Sequence, residues 1–191
     1  MRNIFLIVVL ITLVNCADQV EQTAQNTDYE NNISAKLKVS ILSYFDYEGT
    51  KVHDFYLHNN NGDSIKFSNF IGDSTVLCFY IPLNYCMDCI NKQFEILAST
   101  GDPIVKDHTI IISTNPNYRT IFTLLKKFKL NLPVFTLNNN PIFFEEYTYS
   151  GPFFFLFNQN RTPWMHYAPI AEIEEINEKY FKAISRNLQN L

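Results

Sequence analysis

Two cysteines, Cys86 and Cys89, are separated by two residues and lie between an apolar run and a segment with helical periodicity. Cysteines at this spacing form a redox couple, supply half of a metal site, or serve as two structural thiols. A zinc site would need two further ligands, and the sequence has no second Cys-x-x-Cys and no closely spaced His pair. Haem attachment would need His at the position of Ile90. The spacing therefore favours a redox couple and leaves a structural pair as its alternative.

The helix expected after the pair would give the two thiols different reactivities. A thiol at a helix N-terminus faces unpaired N–H groups and the positive end of the helix dipole, which lower its pKa from about 8.5 to roughly 3.5–7.5. Cys86 is therefore the candidate nucleophile, and Cys89, one turn further on, is the thiol that would resolve a mixed disulfide. The negative charge of Asp88 disfavours a nearby thiolate, so we expect a couple that is not strongly oxidising.

Hydrophobic periodicity indicates which elements position the pair. The continuous apolar run before the cysteines predicts a central strand buried on both faces. Residues 36–45 fit a helix or a strand equally well. In chain order the predicted elements are a hairpin at 54–57 and 65–67, a helical turn at 68–73, a strand at 75–81, a helix at 89–99, a strand at 109–113, a helix at 118–130, a strand at 134–137, a hairpin at 153–157 and 162–167, and a helix from 172 onward.

Composition favours one globular domain. The chain has 191 residues, of which 47% are hydrophobic and 18% charged, and one domain with a full core fits this length. The formal net charge of -4 and the absence of a basic stripe give no electrostatic basis for binding nucleic acid. Aromatic residues make up 15% of the chain, which favours a core dominated by buried sheet.

The N-terminus has the features of an export signal. An apolar run at 4–14 is too short to span a membrane, so we interpret residues 1–15 as a lipoprotein-type signal peptide. Its end, Leu13-Val14-Asn15-Cys16, resembles the lipobox of bacterial lipoproteins, in which Cys16 would receive the lipid. Ordinary secretion and an uncleaved anchor are the alternatives, and all three place the rest of the chain outside the cytoplasm. The polar residues that follow predict a flexible tether at 16–36, and then a domain at 37–191.

The order strand, Cys-x-x-Cys, helix, strand, helix, strand, proline, hairpin and helix resembles the thioredoxin superfamily. Within it, the chain resembles the exported, membrane-tethered thiol-disulfide oxidoreductases of the TlpA and ResA type, which are related to the alkyl hydroperoxide reductase and thiol-specific antioxidant group. The segments that carry the resemblance are Asp54-Phe55-Tyr56-Leu57, Asn61-Gly62, Ser68, Gly72, Val76-Leu77-Cys78-Phe79-Tyr80, Cys86-Met87-Asp88-Cys89, Asn131-Leu132-Pro133-Val134 and Gly151-Pro152-Phe153-Phe154-Phe155-Leu156. The family usually has Trp at the position of Tyr85, and often has Pro between its cysteines, where this chain has Met87 and Asp88. The resemblance therefore does not indicate the substrate or the reduction potential of this chain.

The resemblance implies a thioredoxin-like α/β fold, with a central mixed sheet flanked by helices and an added N-terminal β-hairpin. It implies that Cys86 and Cys89 are catalytic, and that Tyr85, Gly151 and Pro152 form a substrate groove with a cis bond before Pro152. It implies no cofactor and no metal. The implied partners are disulfides of envelope proteins, a membrane thiol that donates electrons, and a membrane that holds the lipid of Cys16. The implied location is the periplasmic side of the cell envelope.

Two other functions remain as alternatives. Peroxiredoxins carry Pro-x-x-x-Thr-x-x-Cys, and residues 82–89 have this spacing with Cys86 in place of the Thr. Cys89 would then be the peroxidatic residue of a thiol peroxidase, without the Thr hydroxyl that would contact the peroxide. The other alternative is a non-catalytic lipoprotein of thioredoxin-like fold that binds a partner.

Overall fold

The computed structural model describes residues 30–35, 37–38, 51–83, 87–114, 118–137 and 151–189. The chain divides into two units, Met1–Lys38 and Val39–Leu191. The predicted signal peptide at 1–15, the lipidation site Cys16 and most of the predicted tether lie outside the described residues. The last part of the predicted tether is helical at 30–35. Ile33, the apolar residue of this stretch, is half-buried there, whereas its described neighbours are exposed.

The Val39–Leu191 unit contains seven strands and five helices among its described residues. Within those residues, no helix is both long and apolar enough to cross a lipid bilayer. The strands are β1 (Tyr56–His58), β2 (Ser64–Lys66), β3 (Val76–Ile81), β4 (Thr109–Ser113), β5 (Val134–Thr136), β6 (Phe153–Phe157) and β7 (Trp164–Tyr167). The helices are α1 (Phe67–Ile71), α2 (Met87–Ser99), α3 (Pro103–Asp107), α4 (Tyr118–Phe128) and α5 (Glu174–Gln189).

The seven strands form one mixed sheet in the order β2-β1-β5-β4-β3-β6-β7. Strand β4 pairs in parallel with both β3 and β5, whereas β6 pairs antiparallel with both β3 and β7. Every residue of β3, β4 and β6 is buried, as the uninterrupted apolar runs predicted. The predicted fold class, a mixed sheet flanked by helices, is confirmed.

Both predicted hairpins are present at the edges of the sheet. Strands β1 and β2 are antiparallel, and Asn59 Oδ1 accepts hydrogen bonds from the backbone N–H groups of Asn61 and Asp63, both at 2.9 Å. Gly62 closes this turn with a φ of 86°, which glycine adopts without strain. At the opposite edge, β7 begins just after Pro163, where the missing N–H removes no ladder hydrogen bond.

The two faces of the sheet carry two separate clusters of buried side chains, because successive residues of a strand point to opposite faces. Phe79 lies in the cluster shared with α2, α4 and α5, and its ring stacks on that of Phe154 at a centroid distance of 4.4 Å. Cys78 points to the other cluster, which also contains Phe67 and Ile71 of α1. Its thiol is free and fully buried, and burial raises its pKa. This agrees with the predicted role of Cys78 as a packed core residue.

His166 lies in β7 with 3% of its surface exposed, next to the rings of Phe153 and Phe155. Burial lowers the pKa of His166 from 6.5 to about 3, because the charged imidazolium loses its hydration. The folded state therefore holds a neutral imidazole at a pH where the unfolded chain is already protonated.

Replacing Phe79 with Ala should lower the free energy of unfolding by about 3–5 kcal/mol, since it removes a fully buried ring that contacts Phe94 and Phe154. The matched control is Phe122→Ala, because Phe122 is 40% exposed and should cost about 1 kcal/mol or less. Urea unfolding of the two variants measures the difference. Equal losses would contradict the assignment of Phe79 to the core.

The buried imidazole should make stability depend on pH. As the pH falls from 6.5 toward 3, the unfolded chain binds a proton at His166 and the folded chain does not. The free energy of unfolding should therefore decrease, by up to about 1.4 kcal/mol per pH unit. Above pH 6.5 His166 is neutral in both the folded and the unfolded chain, so this pH dependence vanishes. His166→Phe keeps an aromatic ring and should flatten this part of the curve in urea unfolding measured from pH 4 to 7. An unchanged slope would mean that His166 is protonated in the folded state.

Candidate active site

Helix α2 begins six residues after the central strand β3 ends, and it carries the described member of the cysteine pair. Cys89 is the third residue of the helix, is half-buried, and is disulfide-bonded. Cys78 is free, so it is not the partner of Cys89. Met87 and Asp88, in the same first turn, are exposed to solvent. The other two residues predicted for this end of the site, Tyr85 and Cys86, lie outside the described residues.

The position of Cys89 follows from how α2 packs. Ile90, Phe94 and Leu97 are buried in the core cluster of that face of the sheet, and this apolar side fixes the rotation of the helix about its axis. On its solvent side, Lys127 Nζ of α4 donates a hydrogen bond to Asn91 Oδ1 at 2.9 Å. The apolar side packs α2 into the core cluster of that face, and the hydrogen bond links α2 to α4. The first turn therefore presents Cys89 at the boundary between core and solvent.

Gly151 and Pro152 precede β6, and the antiparallel pairing of β6 with β3 brings them to the same end of the sheet as the start of α2. Both residues are buried. The register pairs Tyr80 with Phe153, so Pro152 lies next to the last residue of β3, Ile81. The structure thus brings the predicted groove residues Gly151 and Pro152 to the end of the sheet from which the cysteine segment continues.

The predicted cis bond before Pro152 was wrong. All peptide bonds between described residues are trans, including Gly151–Pro152. Trans is the favoured isomer of an X–Pro bond by about 0.5–1 kcal/mol. Gly151, which precedes this proline, has a φ of 87°, which is open to glycine at no steric cost.

A buried set of polar contacts joins α2 to the segment that follows β7. Gln93, one turn after Cys89 on α2, is 8% exposed, and its Nε2 donates to the carbonyl oxygen of Pro169 at 2.7 Å. Asn177 of α5 holds the next residue, because its Nδ2 donates to Ile170 O at 2.9 Å and its Oδ1 accepts from Ile170 N at 3.2 Å. The hydroxyl of Tyr167 donates to the same Oδ1 at 2.6 Å.

These contacts fix the geometry of the site. Since β6 and β7 run antiparallel, the segment after β7 lies at the same end of the sheet as the segment before β6. Gln93 therefore ties the helix of Cys89 to the segment after β7, at the end of the sheet where Gly151 and Pro152 lie. Sequence analysis did not identify Gln93 or Asn177. The available signal was a polar residue within the apolar face of a helix, since Gln93 lies between Ile90 and Phe94 in the buried set of α2.

The described residues offer no site for a metal ion: nowhere among them do three His, Cys, Asp or Glu side chains come together. The polar groups described at this end of the sheet include the amides of Gln93 and Asn177, the hydroxyl of Tyr167 and the disulfide of Cys89. A disulfide at the boundary between core and solvent can exchange with a thiol.

No protein-family model and no curated protein matches the chain. Among solved structures, it is similar to a protein from Bacteroides thetaiotaomicron provisionally identified as a protein disulfide isomerase, with a TM-score of 0.54 and 13% identity over 74% of this chain and 87% of that one. Two further similar structures are the thioredoxin domain of a thiol-disulfide oxidoreductase from Bacteroides vulgatus (TM-score 0.49, 15% identity, covering 70% of this chain and 96% of that one) and a peroxidoxin from Mycobacterium tuberculosis (TM-score 0.48, 14% identity, covering 72% and 97%). The sheet order and the first of these similarities identify the fold of this chain as thioredoxin-like.

Proposed function

We propose that this protein is a thiol-disulfide oxidoreductase that uses Cys86 and Cys89 as its redox pair. The observation that carries the proposal is the disulfide of Cys89 in the first turn of α2, at the end of the central strand of a thioredoxin-like sheet. Cys89 is half-buried rather than enclosed in the core, so a second thiol can reach it. The free thiol of Cys78 is fully buried and takes no part.

The reaction runs in two exchanges when the reduced pair meets a client disulfide. The Cys86 thiolate attacks one client sulfur, the client disulfide breaks, and the other client sulfur leaves as a thiolate. Cys89 then gives its proton to the first client thiolate and attacks the Cys86 sulfur of the mixed disulfide, which releases the second client sulfur as a thiolate that takes a proton from water. The pair loses two electrons and becomes a disulfide, and the client gains them and becomes a dithiol. Cys86 leads because it directly precedes α2 in the sequence, and the positive end of a helix dipole favours a thiolate.

The client is proposed to be an extended segment of an envelope protein, lying in a groove formed by Tyr85, Gly151 and Pro152. Pro152 has no N–H and is buried, so it shapes this groove through its backbone and its neighbours. Two large apolar side chains, Leu83 and Met87, are 52% and 47% exposed on either side of residues 84–86. Exposed apolar side chains next to a reactive disulfide are suited to hold a client segment.

The location of the protein is proposed from its N-terminal sequence. An export signal at 1–15, a lipid on Cys16 and a polar tether would place the redox domain on the periplasmic side of the cell envelope. A disulfide reductase in that compartment needs electrons from elsewhere, so a membrane protein with its own thiol pair is the proposed donor. The peroxidase alternative uses the same cysteine, and its distinguishing product is a sulfenate on Cys89 that forms only with peroxide.

A glutathione redox titration of the full chain should show one reversible two-electron couple. Mixed disulfides with client proteins should accumulate on the Cys89→Ser variant, which cannot resolve them, and not on Cys86→Ser, which cannot form them. Cys78→Ala is the matched control and should keep the couple of the wild-type chain. A pair that never exchanges with glutathione, or adducts that accumulate on Cys86→Ser instead, would contradict the proposed roles.

The negative charge of Asp88 should hold the potential of the pair below about -120 mV, the strongly oxidising end of the range for such proteins. Asp88→Asn should raise the potential by roughly 5–20 mV, because an exposed charge within one helical turn disfavours the Cys86 thiolate by a fraction of a kcal/mol. Asp107→Asn, at the exposed end of α3, is the control and should leave the potential unchanged. A wild-type potential near -120 mV would overturn this expectation.

A further inference from the structure

The Oε1 atom of Gln93 is a buried hydrogen-bond acceptor without a donor among the described residues. Its orientation is determined by chemistry, because the carbonyl oxygen of Pro169 can only accept, so the Nε2 group of Gln93 must face it. Oε1 consequently points away from Pro169. A buried acceptor left without a donor destabilises the state in which this occurs. In this structure Cys89 is disulfide-bonded, so the unpaired acceptor belongs to the oxidised state of the protein.

Gln93 and Cys89 are neighbours on one side of α2. They are four residues apart, a spacing at which side chains on a helix come together. Side chains on a helix also lean toward its N-terminus, so Gln93 extends over the turn that contains Cys89. The burial pattern agrees, because Cys89 is half-buried at the rim of the site and Gln93 is buried one turn below it.

We propose that Gln93 Oε1 accepts a hydrogen bond from the Cys89 thiol when the pair is reduced, and that it stabilises the dithiol form in this way. The proposal rests on the redox role proposed above for the pair. Reduction by two electrons and two protons breaks the disulfide and leaves one proton on Cys89 Sγ, which then donates to Oε1. The amide takes up no proton itself. Gln93 is thus a positioning residue that keeps Cys89 protonated while Cys86 attacks.

Two consequences can be measured on the Gln93→Met variant, which has a side chain of similar length and lacks the amide. The pKa of the Cys89 thiol should fall, because the neutral thiol loses its acceptor. The equilibrium with glutathione should shift toward the disulfide by roughly two- to tenfold, since a hydrogen bond present only in the dithiol form has been removed. Carbon NMR of the Cys89 Cβ atom in the full chain, reduced with a phosphine and titrated, gives the first value. A glutathione titration gives the second.

Asn177→Ala is the matched control. It removes the side chain that holds Ile170 and so loosens the segment that Gln93 also contacts, but it leaves Oε1 in place. If both effects appear in Gln93→Met and neither exceeds about twofold in Asn177→Ala, the proposal is supported. If Gln93→Met changes neither quantity, or if Asn177→Ala reproduces its effects, the role of Gln93 is only structural and the proposal is wrong.

A measurement on the wild-type chain remains decisive if Gln93→Met does not fold. The side-chain carbonyl carbon of Gln93 should shift on reduction, because it gains a donor, and an unchanged signal would overturn the proposal. The Cys89 titration needs only chemically reduced protein. A chain that fails to exchange with glutathione but shows the Gln93-dependent thiol would therefore disprove the proposed redox function and leave the hydrogen bond standing.

Discussion

Strand β3 is buried along its whole length, and both of its edges are occupied, by β4 on one side and by β6 on the other. A strand in this position needs apolar side chains on both faces and helices or loops that cover each face. Helices α2, α4 and α5 cover the face that carries Phe79, and α1 with the chain before β1 covers the face that carries Cys78. The position of the end of β3 is therefore fixed by its neighbours, and the segment with the cysteine pair follows directly in the chain.

Buried hydrogen bonds at that end of β3 fix the positions of the segments around the site. Gln93 of α2 donates a hydrogen bond to Pro169, and Asn177 of α5 donates one to Ile170. The segment after β7 is therefore bound to two helices. Each contact is buried, where an unpaired polar group is costly, so the segment has little freedom to move. Both helices are in turn anchored by the same core cluster.

Much of the fold could be predicted from local pattern. The uninterrupted apolar runs identified β3, β4 and β6, and the Asn and Gly residues at 59–62 identified the first hairpin, because these signals depend on neighbours in sequence. The isomer of the bond before Pro152 could not be predicted in this way. A cis bond was expected from the position of this proline in the resembled fold, whereas the structure has a trans bond there. The helical stretch at 30–35 was missed because its composition is polar.

The sequence by itself determined the cysteine spacing, the helix that follows it, the buried character of Cys78, and the order of the strands. Those features follow from residue type and short-range periodicity. Helix α3 was not among the predicted elements. Only the tertiary structure decided that Gln93 and Asn177 belong to the site, because Pro169 is 76 residues from Gln93 along the chain and comes within 2.7 Å only when β6 and β7 pair beside β3. Hydrogen bonds of this range have no local signature, since a buried amide and an exposed one look the same in a sequence.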